Sequence, residues 1–429
     1  MIGNDMRTMD DYEFRGKTVL LRVDLNSPID PKTQKITDDS RIREHAKTVK
    51  ELSDKGAKVV VLAHQGDPLF LDQYVPLEEH AHILSALVGR DVKYVDEIFG
   101  SSAREAIKKM TNGQIVMLEN TRYFAVDTRL FEDTVKLTPQ EQASSMLVRK
   151  LYPLADVFVN DAFAAAHKSQ PSLVGFAEVL PSVAGRVLES EVGALSKIRD
   201  HPERPCVFCL GGRKISDKYE MLEPVLENGV ADFVLTSGLI GLIMLKAAGH
   251  SLGASSESLI AKLGYDKYVP ISARLLDTYG KERLRVPSDL AVERGTGRAE
   301  IDTSSLPVID PIKDIGQKTV HEYSTVIERA GTVFFSGPPG VIENKQFSGG
   351  TRAILRTITQ SRAFSVVGGG HSIAALREYE LLDRISYVST GGGALVRYLS
   401  GEELPAIAAL KRAAPRLPKR SVITQEIRT

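Results

Sequence analysis

The stretch SVVGGGHSIAAL, residues 365–376, sets three consecutive glycines between an apolar, β-branched run and a helical run. Glycine inside a regular element costs roughly 0.5–1 kcal/mol relative to alanine. Gly368, Gly369 and Gly370 are therefore expected between elements, in a strand-to-helix turn whose backbone another group can approach closely. The device recurs in SYVSTGGGALVRYL, residues 386–399, with Gly391, Gly392 and Gly393.

The same alternation runs outward along the chain. Short apolar runs end abruptly in polar or glycine residues, and a helical stretch follows each. They are TVLLRVDLN (18–26), KVVVLAHQG (58–66), QIVMLENTR (114–122), DVFVNDAF (156–163), PCVFCLGG (205–212), DFVLTSG (232–238), TVFFSGPPG (332–340), AFSVVGGG (363–370) and ISYVSTGGG (385–393). Continuous apolar strands alternating with helices predict parallel sheets covered on both faces. The fold class is α/β, with doubly wound, Rossmann-like parallel sheets.

In the first half the strand ends carry Asp24, Asn26, His64, Glu119, Arg122, Asn160 and Asp161. In the second half they are mostly glycine, with Lys214 and Lys218 nearby. Open α/β sheets bind ligands beyond the carboxyl ends of their strands, so two compositions predict two different ligands. Between the halves, Leu188, Val192, Leu195 and Ile198 follow helical spacing, with Ser182 as the expected cap and Pro202 and Pro205 as the stop. This predicts a hinge helix joining two domains, 1–184 and 185–403, the second starting with that helix.

Bulk properties narrow the function. The 429 residues carry 55 Lys and Arg against 55 Asp and Glu, for zero net charge. A nucleic-acid or membrane-surface protein would be expected to be basic. The N-terminus lacks an apolar signal-like core, and the most apolar segment, 233–245, is too short to span a bilayer. A cytoplasmic location is the expectation, with no nucleic-acid or membrane partner. Monomer and homodimer both stay open. The two cysteines, Cys206 and Cys209, lie in a strand-like run and read as core thiols rather than a redox pair. His80 and His82 would diverge on a helix, which argues against a metal site there.

Glycine-freed N–H groups at helix starts form anion sites. Three glycine turns with Lys214 and Lys218 predict a polyphosphate ligand for the second half. The P-loop pattern G-x-x-x-x-G-K-[ST] and the dinucleotide pattern G-x-G-x-x-G are both missing. In the first half Arg22, Arg41, Arg43, His64, Arg122, His167 and Lys168 cluster near strand ends and suit a small polar anion. No nucleophile–base triad stands out. A carboxylate acceptor, ionised at pH 7, would need no general base, leaving positioning and charge neutralisation as the catalytic work.

The motifs RVDLNSP (22–28), ITDDSRI (36–42), AHQG (63–66), LENTR (118–122) and VNDAFAAAH (159–167) resemble the substrate half of the phosphoglycerate kinase family. LGGRKISDK (210–218), DIGQKT (314–319), SGPPGVIE (336–343), VVGGGHS (366–372) and VSTGGGA (388–394) resemble its nucleotide half. The AHQG and GGGHS variants are most similar to the archaeal branch. The resemblance implies reversible transfer of the ATP γ-phosphate to the carboxylate of 3-phosphoglycerate, giving 1,3-bisphosphoglycerate and ADP, by hinge closure and electrostatic stabilisation.

The resemblance also implies residue roles. Arg41 and Lys214 would be catalytic. Asp24, Leu25, Asn26, Arg41, His64, Gln65, Gly66, Asp67, Arg122 and Lys168 would bind the 3-phosphoglycerate. Lys214, Lys218, Glu343, Gly368, Gly369, Gly370, His371, Ser372, Gly391, Gly392 and Gly393 would bind the nucleotide, with Glu343 on the ribose. Mg²⁺ would arrive on ATP or ADP, with no protein metal ligands. The tail from about 404 to 429 would pack on the substrate domain.

Three positions depart from the family pattern. Asp67 and Lys168 stand where most relatives have arginine. A carboxylate about 4 Å from a substrate phosphate would cost on the order of 4 kcal/mol at an effective dielectric near 20, so Asp67 is expected to turn away or pair with an arginine. Lys168 keeps its charge without the bidentate fork. His371 stands where bacterial and eukaryotic relatives have Asp, and supplies no carboxylate. These departures keep two other readings open: a nucleotide-binding regulatory relative without turnover, and a kinase for another small carboxylate.

Overall fold

The computed structural model describes residues 6–417, apart from 68 and 70. In its first sheet the strands are β1 (Thr18–Arg22), β2 (Lys58–Leu62), β3 (Val92–Val95), β4 (Ile115–Leu118), β5 (Val157–Asn160) and β6 (Ser182–Ala184). All pairings are parallel, in the order β3-β4-β2-β1-β5-β6. The two-residue period of β-structure explains why the strands read as unbroken apolar runs. Val19, Leu21, Val59 and Val61 pack into one core, and Leu20, Val60, Leu62 and Phe158 into another. Burying each such side chain contributes about 1.5–3 kcal/mol. The helix Ser40–Asp54 closes the first core with Ile42, Ala46, Val49 and Leu52, and His45 lies on the same buried face.

The second parallel sheet contains β7 (Cys206–Leu210), β8 (Phe233–Thr236) and β9 (Leu284–Arg285). Three further strands follow, β10 (Asp289–Arg294), β11 (Gly297–Asp302) and β12 (Ile312–Ile315). The parallel sheet resumes with β13 (Thr332–Ser336), β14 (Phe364–Gly368) and β15 (Tyr387–Ser389), in the order β15-β14-β13-β7-β8-β9. β10, β11 and β12 form a separate antiparallel sheet, order β11-β10-β12. This sheet adds to the two parallel sheets that the sequence predicts. β11 is half-exposed along its length, so it lacks the continuous apolar run that marked the other strands. The edge strand β3 escaped the sequence reading for the same reason, since Lys93 is exposed within it.

The chain forms two compact units, Met1–Gly193 with Glu403–Thr429, and Ala194–Glu402. The division falls inside the helix Arg186–Arg199 rather than at 184/185. The first turn belongs to the first unit, where Arg186 pairs with Glu51 at 2.7 Å and Asp10 at 2.6 Å. The last turn belongs to the second, where Lys197 lies over the Phe364 ring and Arg199 over Tyr398.

Ser182 does not cap this helix, because it is paired within β6. The helix start is capped instead by the Asp161 carboxylate, whose Oδ1 accepts from the Val187 N–H at 2.8 Å.

The helix Pro405–Ala413 packs on the first unit, with the Ala406 N–H on the Ala166 carbonyl and Arg412 on Glu178. Residues 418–429 of the expected tail lie outside the described residues. Cys206 and Cys209 are buried free thiols in β7. On the helix Glu78–Val88, His80 is buried and His82 exposed. Among the described residues no helix is long and apolar enough to cross a membrane.

Candidate active site

In each parallel sheet the strand order reverses at one point, and open sheets bind ligands beyond the strand ends there. In the first unit that point is β1, flanked by β2 and β5. Asp24 follows β1 and is buried. Its Oδ2 meets Arg41 Nη1 at 2.6 Å and its Oδ1 accepts from the Asn26 N–H. Burial alone would push this carboxyl up. Arg41 and the Asn26 amide outweigh it and hold Asp24 well below the usual carboxylate range. Arg41 sits in the first turn of the helix Ser40–Asp54 and is one-third exposed, so its remaining donors can reach solvent or ligand.

His64 follows β2 and is buried. Arg22 Nη2 lies 2.9 Å from its Nδ1. A guanidinium can only donate, so Nδ1 accepts and the ring proton sits on Nε2. Burial, then repulsion from Arg122, Arg22 and Lys168, lowers the His64 pKa well below its ordinary value against the pull of Asp24. His64 is thus a neutral Nε2–H donor.

Arg122, in the turn after β4, is also buried. Its Nη1 donates to Gln170 Oε1 at 2.9 Å and to the Asp127 carbonyl, and its Nε makes no hydrogen bond. A buried guanidinium donor without a partner is costly and fits an anionic ligand. Lys168 is half-buried. Burial, then Arg122 and Arg22, lowers its pKa to about 8, against the pull of Asp24 and Glu132.

Other expected residues serve the site indirectly. Leu25 is fully buried in the core. Gln65 is buried as a brace: its Oε1 accepts from the Ser27 N–H at 2.8 Å and from His80 Nε2 at 3.0 Å, and its Nε2 donates to the Ser27 carbonyl. Asn26 Oδ1 accepts from the Gly66 N–H at 2.9 Å. Among the described residues no arginine pairs with Asp67. Its Oδ1 accepts from the Leu69 N–H, an aspartate turn within its own loop. Arg43 is on the surface, paired with Asp39.

In the second unit the reversal lies between β7 and β13, whose following turns touch. Gly337 has φ +88°, and a Cβ there would stand 2.2 Å from the Gly211 carbonyl oxygen. Gly337→Ala should therefore weaken ligand binding beside these turns at least about tenfold and lower stability by about 1–3 kcal/mol. Titration calorimetry and thermal unfolding would check both, and an unchanged affinity would refute the role of this contact.

Beside these turns opens a cavity of about 580 Å³. Lys214, Lys218, Glu343, Gly368, Gly369, Gly370, His371, Ser372 and Gly392 line it. Gly369, at φ +93°, turns the chain into the helix Gly370–Glu378, whose start has no side-chain cap. Its free N–H groups and dipole offer an anion seat. Ser372 Oγ accepts from the Gly337 N–H at 2.8 Å, locking the two turns together.

Lys214 is exposed. Lys218 is half-buried and donates from Nζ to the Lys214 carbonyl at 2.8 Å, and burial lowers its pKa. His371 Nδ1 faces Glu343 at 3.6 Å, both exposed.

Gly391 and Gly393 do not reach the cavity. The Gly391 N–H is taken by Ser389 Oγ and its carbonyl by the following helix. Leu239, Leu242, Leu259, Pro287 and Leu290 add apolar side chains to the cavity lining. Sequence reading missed these residues, since apolar side chains carry no mark that separates a ligand wall from a core.

A cation cluster at one doubly wound sheet and a glycine-walled cavity at the other define an α/β phosphotransferase. The family model described as phosphoglycerate kinase matches residues 9–402, and the chain belongs to that family. It is 45% identical to the phosphoglycerate kinase of Methanothermus fervidus, over 96% of this chain and 98% of that one. It is 47% identical to that of Methanothermobacter thermautotrophicus, over 95% and 97%. The crystal structure of phosphoglycerate kinase from Pyrococcus horikoshii superposes with a TM-score of 0.86 at 39% identity, covering 96% of this chain and all of that one. The structure of phosphoglycerate kinase from Coxiella burnetii gives 0.79 at 30% identity, covering 95% of this chain and 100% of that one.

Proposed function

We propose that this chain transfers the γ-phosphoryl group of Mg²⁺-bound ATP to the carboxylate of 3-phosphoglycerate, and the reverse, in the cytoplasm. The observation that carries the reading is the pairing of site chemistries. The first unit gathers Arg41, His64, Arg122 and Lys168 around Asp24 with a guanidinium donor unspent. The second presents an uncapped helix start in a cavity lined by two lysines and several apolar side chains.

In this reading Arg122, Lys168 and the His64 Nε2–H hold the charged ends of the acceptor. Arg41 and Lys214 neutralise the charge that spreads over the transferring group. The acceptor carboxylate is already ionised and needs no base. The metal comes with the nucleotide as part of the substrate. Every relative named above is a phosphoglycerate kinase, and no observation favours a regulatory or altered-substrate role.

Purified protein with ATP, Mg²⁺ and 3-phosphoglycerate should form 1,3-bisphosphoglycerate, followed by reductive trapping of the acyl phosphate. Tight ATP binding without turnover would overturn the reading.

Lys168 adds a pH signature. It loses its proton as pH rises through about 8, so the anion site loses a charge there. KM for 3-phosphoglycerate should rise above that pH while KM for ATP stays level. Lys168→Arg should abolish the alkaline limb, because arginine stays charged. A limb that persists in the variant would exclude Lys168 as its source.

A further inference from the structure

We infer that Ser172 and Asp127 are positioning residues for His64, acting through Arg22 to hold its imidazole as the Nε2–H donor. The inference deepens the functional reading, since it rests on His64 meeting the acceptor anion. Arg22 is fully buried, and its three nitrogens are all engaged inside the protein. Nη2 donates to His64 Nδ1 at 2.9 Å, Nη1 to the Val23 carbonyl, and Nε to Ser172 Oγ at 3.0 Å. Arg22 is thus a brace, although its position at a strand end reads as a ligand contact.

Ser172 has one hydroxyl proton, and Asp127 fixes where it goes. Ser172 Oγ donates to Asp127 Oδ2 at 2.9 Å, and the Ser172 N–H donates to Asp127 Oδ1 at 2.9 Å. The hydroxyl is left as an acceptor toward Arg22 Nε, so every bond in the chain has one direction. Asp127 is also fully buried and is the first charge opposing the burial that lowers the Arg22 pKa to about 10. Without it Arg22 would be a buried cation with only Asp24 opposing its burial. The neighbouring Gln170 takes Arg122 Nη1, so the short segment 170–172 braces both buried arginines. If Arg22 swung away, His64 Nδ1 would lose its donor and the ring could carry its proton on either nitrogen.

The test is nitrogen-15 NMR of histidine side chains in the full-length protein, with His64 assigned by its loss in His64→Gln. Wild type should show a single Nε2–H tautomer for His64. Ser172→Ala should show both tautomers, with KM for 3-phosphoglycerate raised about tenfold and KM for ATP unchanged. If that variant does not fold, the isosteric Asp127→Asn carries the same comparison.

An Nδ1–H tautomer in wild type, an unchanged tautomer in the folded variant, or an equal rise in both KM values would overturn the inference. If wild type does not turn over 3-phosphoglycerate, the functional reading fails, while the tautomer measurement still decides the role of Ser172 and Asp127.

Discussion

Arg41→Ala should lower kcat by about 1,000-fold, the scale on which a mobile arginine stabilises phosphoryl transfer. Arg41 is the cation in direct contact with Asp24, and its partly exposed guanidinium keeps donors for a reacting group. The buried Arg22 and Arg122 are engaged with His64, Ser172 and Gln170 and cannot move to replace it. Arg41→Lys should recover only part of the loss, since an ammonium cannot span Asp24 and a phosphoryl oxygen with one planar fork. Steady-state kinetics with both substrates varied will measure this, with circular dichroism to confirm the fold. A kcat loss below about tenfold would remove Arg41 from the catalytic set.

Lys214→Ala should lower kcat by about 100–1,000-fold while ATP affinity changes less than about threefold. Lys214 is exposed on the turn after β7, and its side chain lines the cavity beside the uncapped helix start. A charge that free in the ground state contributes little to ATP binding and much once the phosphoryl group carries new charge. Lys218 differs, because its ammonium holds the Lys214 carbonyl and so fixes the turn. Equal losses in kcat and in ATP affinity for Lys214→Ala would mean that it binds the ground state and nothing more.

Much of the architecture was legible because buried parallel strands leave a plain mark. TVLLR, KVVVL and CVFCL have no polar alternation, and each is a central strand covered on both faces. The first glycine triplet was read only in part, since Gly368 ends β14, Gly370 opens the helix, and Gly369 alone stands between the two elements. Gly369 needs a positive φ to turn β14 into its helix, and the freed N–H groups lie at the cavity. The second triplet looked equivalent and is not. Ser389 takes the Gly391 N–H, and Gly392 alone of the three reaches the cavity wall. The antiparallel β10–β12 sheet was missed because its strands mix polar and apolar residues, and β11 is half-exposed. With it went Pro287 and Leu290, which line the cavity.

By itself the sequence determined most of the buried parallel strands, the helical stretches that follow them and the kinds of charge at each sheet's end. Those follow from periodicity and residue chemistry, which are local properties of the chain. Which cation meets a ligand and which is a brace was decided only in three dimensions. Arg22 is separated by 42 residues from His64 and by 150 from Ser172, yet it bonds to both. The proton on His64 Nε2 is set by that contact. Hydrogen bonds inside a core have directions fixed by the partners the fold supplies, and the order of residues along a chain does not name those partners.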